Sequence, residues 1–164
     1  MRNKNKSEKG FTLIELLVVV AIIALLTSIA LISLMSARQK SRDAKRLSDM
    51  VQSNTALELY WSTNKGYPST TGVPTPLVPG YASSLPAAPN PPDGGCDLID
   101  LHTYNANIPA NTMANGYYYY PSGTVYVGSN NVQVVPDFVY YFCVGFKTGE
   151  VNPGLHMVTP KGLR

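Results

Sequence analysis

The sequence predicts an α+β chain in which one long N-terminal helix, apolar enough to span a membrane in its first half, packs on a small antiparallel β-sheet head. Three observations carry this expectation. From Leu13 to Met35 there is no Lys, Arg, Asp, Pro or Gly, and the only ionisable group is Glu15. From Ser36 to Lys65 Pro and Gly are still absent, but apolar residues now recur at three- and four-residue steps. From Gly66 onward the chain holds all 13 prolines and 12 of the 13 glycines, and period-two alternation replaces helical spacing. The expected organisation is a basic leader over residues 1–10, the helix over 11–65 and a loop-rich head over 66–164.

The first ten residues, MRNKNKSEKG, carry Arg2, Lys4, Lys6 and Lys9 against Glu8. The 23-residue apolar run that follows is long enough to cross a hydrocarbon core, which needs roughly 20 residues at 1.5 Å each. A secretory signal has a shorter apolar region and a small-x-small cleavage site, and residues 34–37 put Leu or Met where a small residue is wanted. A plain anchor leaves Glu15 unexplained, because a carboxylate inside such a segment costs on the order of 2.5–3.5 kcal/mol and normally has a partner or a purpose.

Gly10-Phe11-Thr12-Leu13-Ile14-Glu15, after a short basic leader and before a long apolar helix, closely resembles the class III signal of type IV prepilins and type II secretion pseudopilins. The resemblance implies cleavage by a prepilin peptidase between Gly10 and Phe11, N-methylation of Phe11, and assembly through Glu15. The freed Phe11 amine lies one turn from the Glu15 carboxylate, since i and i+4 share a face. A charged pair in an apolar environment costs less than either charge alone. In the family this glutamate neutralises the amine of a neighbouring subunit in the filament. A carboxylate that only snorkels to the headgroups and pairs with Lys9 is the alternative.

The full chain has 13 Lys and Arg against 10 Asp and Glu, and removing residues 1–10 leaves nine of each. The head from Gly66 onward has a net charge of −2, with Lys147, Lys161 and Arg164 against Asp93, Asp97, Asp100, Asp137 and Glu150. That is a poor surface for nucleic acid, whose binding rests on neutralised phosphates. The flank after the span, with Arg38, Lys40, Arg42, Lys45 and Arg46, is as basic as the leader, so charge alone does not orient the helix. The resemblance, with a proline-rich two-cysteine head suited to export, places the N-terminus in the cytoplasm and the head outside the inner membrane. After assembly the subunit would sit in an extracellular pilus or a periplasmic pseudopilus.

Leu47, Met50, Val51, Asn54, Leu57 and Trp61 form one helical stripe expected to face the head. Residues 38–46 are expected to be a solvated face. The stretch ALELYWSTNKGYP again resembles the family, and there Gly66 is expected to end the helix in the left-handed conformation, with Pro68 beyond it. Many members carry proline at the position of Ile32, and its absence implies a more continuous helix. Residues 66–98 are expected to form a long loop. GYYYYP, GTVYVG, NNVQVVP and DFVYYFCVGF then read as strands, with KTGE as a turn. Phe138, Tyr140, Phe142, Val144 and Phe146 alternate onto one face that should pack on the helix.

Cys96 and Cys143 fit a single disulfide in an exported head, as in many type IV pilins; two reduced cysteines with Cys143 buried is the alternative. No cofactor is expected. The related pseudopilins often hold Ca²⁺ in a carboxylate-rich C-terminal loop, whereas residues 137–164 supply only Asp137 and Glu150, so calcium is not expected. Nor does a catalytic triad, a phosphate loop or a pair of catalytic carboxylates stand out, which argues against an enzyme.

The function implied is a structural subunit of a type IV pilus or pseudopilus, with further copies of itself, the prepilin peptidase, an assembly platform, a motor ATPase and the membrane as partners. The alternative is a monomeric membrane-anchored binding module whose Tyr117 to Tyr120 recognise glycan or a surface. Half-buried sheet packing is the other use for those tyrosines.

Overall fold

The computed structural model describes residues 10–110, 112 and 116–164. The basic leader up to Lys9 lies outside the described residues. Helix α1 runs Leu13–Asn64, and the chain divides into two compact units, residues 1–38 and 39–164, each taken by itself. Long and uninterrupted by Gly or Pro, α1 matches the expected element.

In the first unit every side chain from Gly10 to Arg38 is exposed. The hydroxyls of Thr27 and Ser28 donate to the carbonyls of Ile23 and Ala24 one turn back, at 2.8 Å each. These polar groups therefore need no water, as an apolar surrounding demands.

The second unit contains the head. Its strands are β1 (Tyr67–Pro68), β2 (Tyr118–Ser122), β3 (Tyr126–Val127), β4 (Gln133–Val135), β5 (Asp137–Val144), β6 (Gly154–Thr159) and β7 (Gly162–Leu163). They form two antiparallel sheets ordered β1-β4-β3 and β2-β5-β6-β7. Strand β5 is central because its residues are apolar on both faces. Phe138, Tyr140, Phe142 and Val144 pack with Met50, Leu57 and Tyr60 of α1, while Tyr141 and Cys143 pack on the opposite side with Cys96, Leu101 and Ile108. Each sheet face is thus covered, one by the helix and one by the loop that follows Cys96.

Four expectations need correction. The helix face against the head coincides with the 47-to-61 stripe only at Leu47, Met50 and Leu57. Val51 is 68% and Trp61 41% exposed, whereas Asp43, Arg46, Met50, Ser53, Leu57, Tyr60 and Asn64 are buried. The face is rotated because it includes charged residues that an apolar count passes over. Lys65, not Gly66, takes the left-handed conformation, at φ 60°. Gly66 is required for close approach, since a Cβ there would overlap the Val134 side chain and the Tyr126 hydroxyl. Phe146 lies beyond the end of β5 and is 36% exposed, so the alternating face stops at Val144. The proline-rich stretch is not all loop, as Tyr67 and Pro68 pair with Val135 and Val134. Strands β6 and β7 were not anticipated, because GLHMVT has no clean alternation.

Candidate functional site: the helix start and the head charge cluster

Gly10, Phe11 and Glu15 sit at the start of α1. Residues 10–12 are outside the helix, and Phe11 is 89% exposed. What fixes the start is a reciprocal cap between Thr12 and Glu15. The Glu15 backbone amide donates to Thr12 Oγ1 at 3.3 Å, while the Thr12 amide and hydroxyl donate to Glu15 Oε2 at 2.9 and 2.6 Å. This is a capping box, with threonine at the cap and glutamate three residues on, and it satisfies donors that the first helical turn leaves without partners. The helix therefore begins at Leu13, and the Gly10-Phe11 peptide stays outside it in exposed chain. The T-x-x-E spacing was legible in the sequence, although Thr12 was not singled out there.

Beyond Glu15 the exposed surface is apolar: Leu16 is 62%, Leu25 65% and Ile32 72% exposed. The segment offers lipid or another helix a continuous apolar surface and no charge until Arg38. The helix is long and apolar enough to cross a membrane.

The basic segment is where sequence reasoning failed most. It is a solvated face only in part: Arg38, Lys40 and Lys45 are exposed, but Arg42 is half-buried and Arg46 buried. Arg42 Nε and Nη2 donate to the two oxygens of Asp93 at 2.8 and 2.6 Å, a bidentate pair. Arg46 Nη1 donates to Asp43 at 2.5 Å and to Asp93 at 3.2 Å, and its Nη2 reaches the carbonyl of Pro89 at 3.1 Å. Asp43 also accepts the backbone amides of Gly145 and Phe146, at 3.1 and 2.8 Å. Asp43 and Arg46 are 0% and 2% exposed. Buried ions persist when paired and hydrogen-bonded, and these are. The Arg42 guanidinium donating to Asp93 holds that carboxyl below its ordinary range, against the opposing effect of burial. Nothing in the sequence marked Asp93, which lies 51 residues from Arg42 in a proline-rich stretch.

Asp49 extends the buried polar layer by accepting from Lys45 at 2.9 Å and from the Tyr117 hydroxyl at 2.8 Å. The tyrosine run is absorbed into packing. Tyr119 is 0% exposed and donates to the Pro68 carbonyl, while Tyr118 and Tyr120 pack beside Cys96, Leu101 and Ile108. Burial raises the hydroxyl pKa of Tyr117 and Tyr119 and pushes that of Tyr140 up to about 12. Cys96 and Cys143 are bonded, with Cα atoms 5.7 Å apart. Among the described residues no group of three or more His, Cys, Asp or Glu side chains is arranged to hold a metal ion.

The family profile described as "Prokaryotic N-terminal methylation motif" matches residues 5–31. Curated relatives described as "Type II secretion system core protein G" match from several organisms. That of Escherichia coli (strain K12) is 36% identical over 54% of this chain and 70% of its own length. That of Klebsiella pneumoniae is 38% identical over 54% of this chain and 62% of its own length, just under two thirds. That of Aeromonas hydrophila is 31% identical over 70% of this chain and 73% of its own length. No solved structure matches significantly. With the methylation motif at the cap and relatives aligned from helix into head, this chain belongs to the type IV pilin and type II secretion pseudopilin family, as a structural subunit of a pilus or pseudopilus.

Proposed function

We propose that this chain is a pseudopilin-type filament subunit, cleaved between Gly10 and Phe11 by a prepilin peptidase, N-methylated on Phe11 and polymerised through α1 with Glu15 as the assembly residue. The observation that carries this reading is the cap. The cap at Thr12, two residues after Gly10, starts the helix at Leu13, so the bond to be cut lies outside the helix in exposed chain, next to an apolar helical segment that is exposed as far as Arg38.

The mechanism follows from charge and solvation. Before cleavage, Glu15 is satisfied by Thr12 and the segment rests in the inner membrane as a single pass, N-terminus in the cytoplasm and head outside. Cleavage creates a cation at Phe11, and a second acceptor is then needed in an apolar surrounding. In a filament, Glu15 of a neighbouring copy supplies it, and the exposed Leu, Ile and Val side chains pack against other helices. Extraction from the membrane needs work, which we assign to an assembly platform and a motor ATPase. The core protein G relatives favour a pseudopilus of a type II secretion system over a surface pilus. The subunit's role is structural, and the peptide-bond and methyl-transfer chemistry belongs to the peptidase.

Glu15→Gln tests the assembly role. It keeps the capping geometry but removes the charge, so membrane insertion and head folding stay as in the parent chain while the sedimentable filament fraction falls at least about tenfold. A filament yield equal to that of the parent would contradict the assignment.

A further inference from the structure

Three stretches of chain meet around Arg46. The helix supplies Arg42, Asp43 and Arg46, the proline-rich loop supplies Asp93 and the Pro89 carbonyl, and the segment after β5 supplies the Gly145 and Phe146 amides. The disulfide ties the second of these to the third. Cys96 follows Asp93 by three residues, and Cys143 precedes Gly145 by two. Between them the backbones touch: a Cβ on Gly94 would overlap the Gly145 backbone, and one on Gly145 would overlap Asp93. Cys96 and Cys143 are 2% and 3% exposed, beneath the loop that contains Leu101 and Ile108. Thiol–disulfide exchange requires access of an attacking thiolate to a sulfur atom. In the closed head neither sulfur offers that access.

We propose that oxidation of Cys96 and Cys143, by exchange with a protein disulfide, precedes closure of the Arg42–Asp43–Arg46–Asp93 clasp, and that the Cys96–Cys143 bond is the latch holding Asp93 against the helix. The thiolate of one cysteine attacks a sulfur of the oxidant's disulfide, forming a mixed disulfide and expelling the oxidant's other sulfur as a thiolate. The second cysteine, as thiolate, then attacks its partner's sulfur, forming the Cys96–Cys143 bond and releasing the oxidant as a dithiol. Two electrons pass to the oxidant, and the two protons lost by the chain's thiols balance those its dithiol takes up. Closure follows because both arginines need Asp93. With the loop unlatched, Arg46 retains only Asp43 as an ionic partner, and a partly unpaired charge favours water over the interior. The inference concerns head folding and does not depend on filament assembly.

The test uses the full chain in detergent, as parent and as Cys96→Ser/Cys143→Ser, each with and without Asp93→Asn. Amide exchange at Gly145 and Phe146 reports the clasp, and exchange at Leu57 and Tyr60 reports helix packing. Removing the bond is expected to speed exchange at Gly145 and Phe146 by at least about 100-fold, with less than about tenfold change at Leu57 and Tyr60. Asp93→Asn should lower the folding constant by about 100-fold in the oxidised chain and by less than about fivefold without the cysteines. Equal effects of Asp93→Asn in both backgrounds, or unchanged exchange at the two amides, would overturn the latch. If the cysteine variant does not fold, the reduced parent chain decides. Protection of the Gly145 and Phe146 amides should appear only after a protein disulfide oxidant is added, and protection while both thiols remain reduced would overturn the proposed order.

Discussion

Residues 13–35 of α1 expose every side chain and are apolar apart from Glu15, Thr27, Ser28 and Ser33, whereas residues 42–64 bury Asp43, Arg46 and Asp49 beside Met50, Leu57 and Tyr60. One stretch leaves apolar surface outward and satisfies Glu15, Thr27 and Ser28 locally. The other draws charges inward and satisfies them with the loop and the strand of the head. The hydrophobic effect accounts for the second stretch within a single chain, because its apolar face is covered. For the first it does not, and the missing cover is lipid or further copies of the helix.

If this contrast is right, substitutions in the two stretches should divide cleanly between folding and assembly. The largest effect belongs to Asp43→Ala, which strips one of the two carboxylate partners from buried Arg46 and the acceptor from the Gly145 and Phe146 amides. It should destabilise the head by about 3–5 kcal/mol in urea unfolding of the solubilised chain, the usual cost of leaving a buried charge without its partner. Leu57→Ala, at a fully buried position in the main core, should cost about 2–5 kcal/mol by the same measurement. Leu25→Ala, in the bare stretch, should leave that unfolding curve within about 0.5 kcal/mol of the parent.

Acid should act on the charged stretch alone. Arg42 lowers the folded-state pKa of Asp93, so its contribution is complete above the unfolded value of about 3.9 and is lost as pH falls through the lower folded value. Urea midpoints should therefore drop between about pH 5 and pH 2, and Asp93→Asn should flatten that dependence. A smaller effect falls at the helix start. Thr12→Val removes the side-chain cap and should cost about 1 kcal/mol of local helix stability, seen as faster amide exchange at Glu15 and Leu16 with no change in the head.

These expectations follow the line between what the sequence made legible and what it did not. The apolar run, the T-x-x-E spacing at the helix start and the alternation of Phe138, Tyr140, Phe142 and Val144 are local patterns, and local patterns survive into structure because period and backbone geometry agree. The polar face of α1 was not legible. Arg46 reads as solvent-facing until Asp93 is known to stand beside it, and that contact spans 47 residues. Lys65 took the left-handed role expected of Gly66 because Gly66 was needed where Val134 and Tyr126 approach. In both cases a tertiary contact outweighed a local preference, whereas β6 and β7 were missed because GLHMVT carries no clean local pattern to read.

The most direct test of the central claim is intact mass and N-terminal sequencing of the chain recovered from sheared, sedimentable cell-surface or periplasmic material. The account predicts a chain that begins at N-methyl-Phe11 and lacks residues 1–10. A chain that still begins at Met1 and remains with the membrane fraction would contradict it.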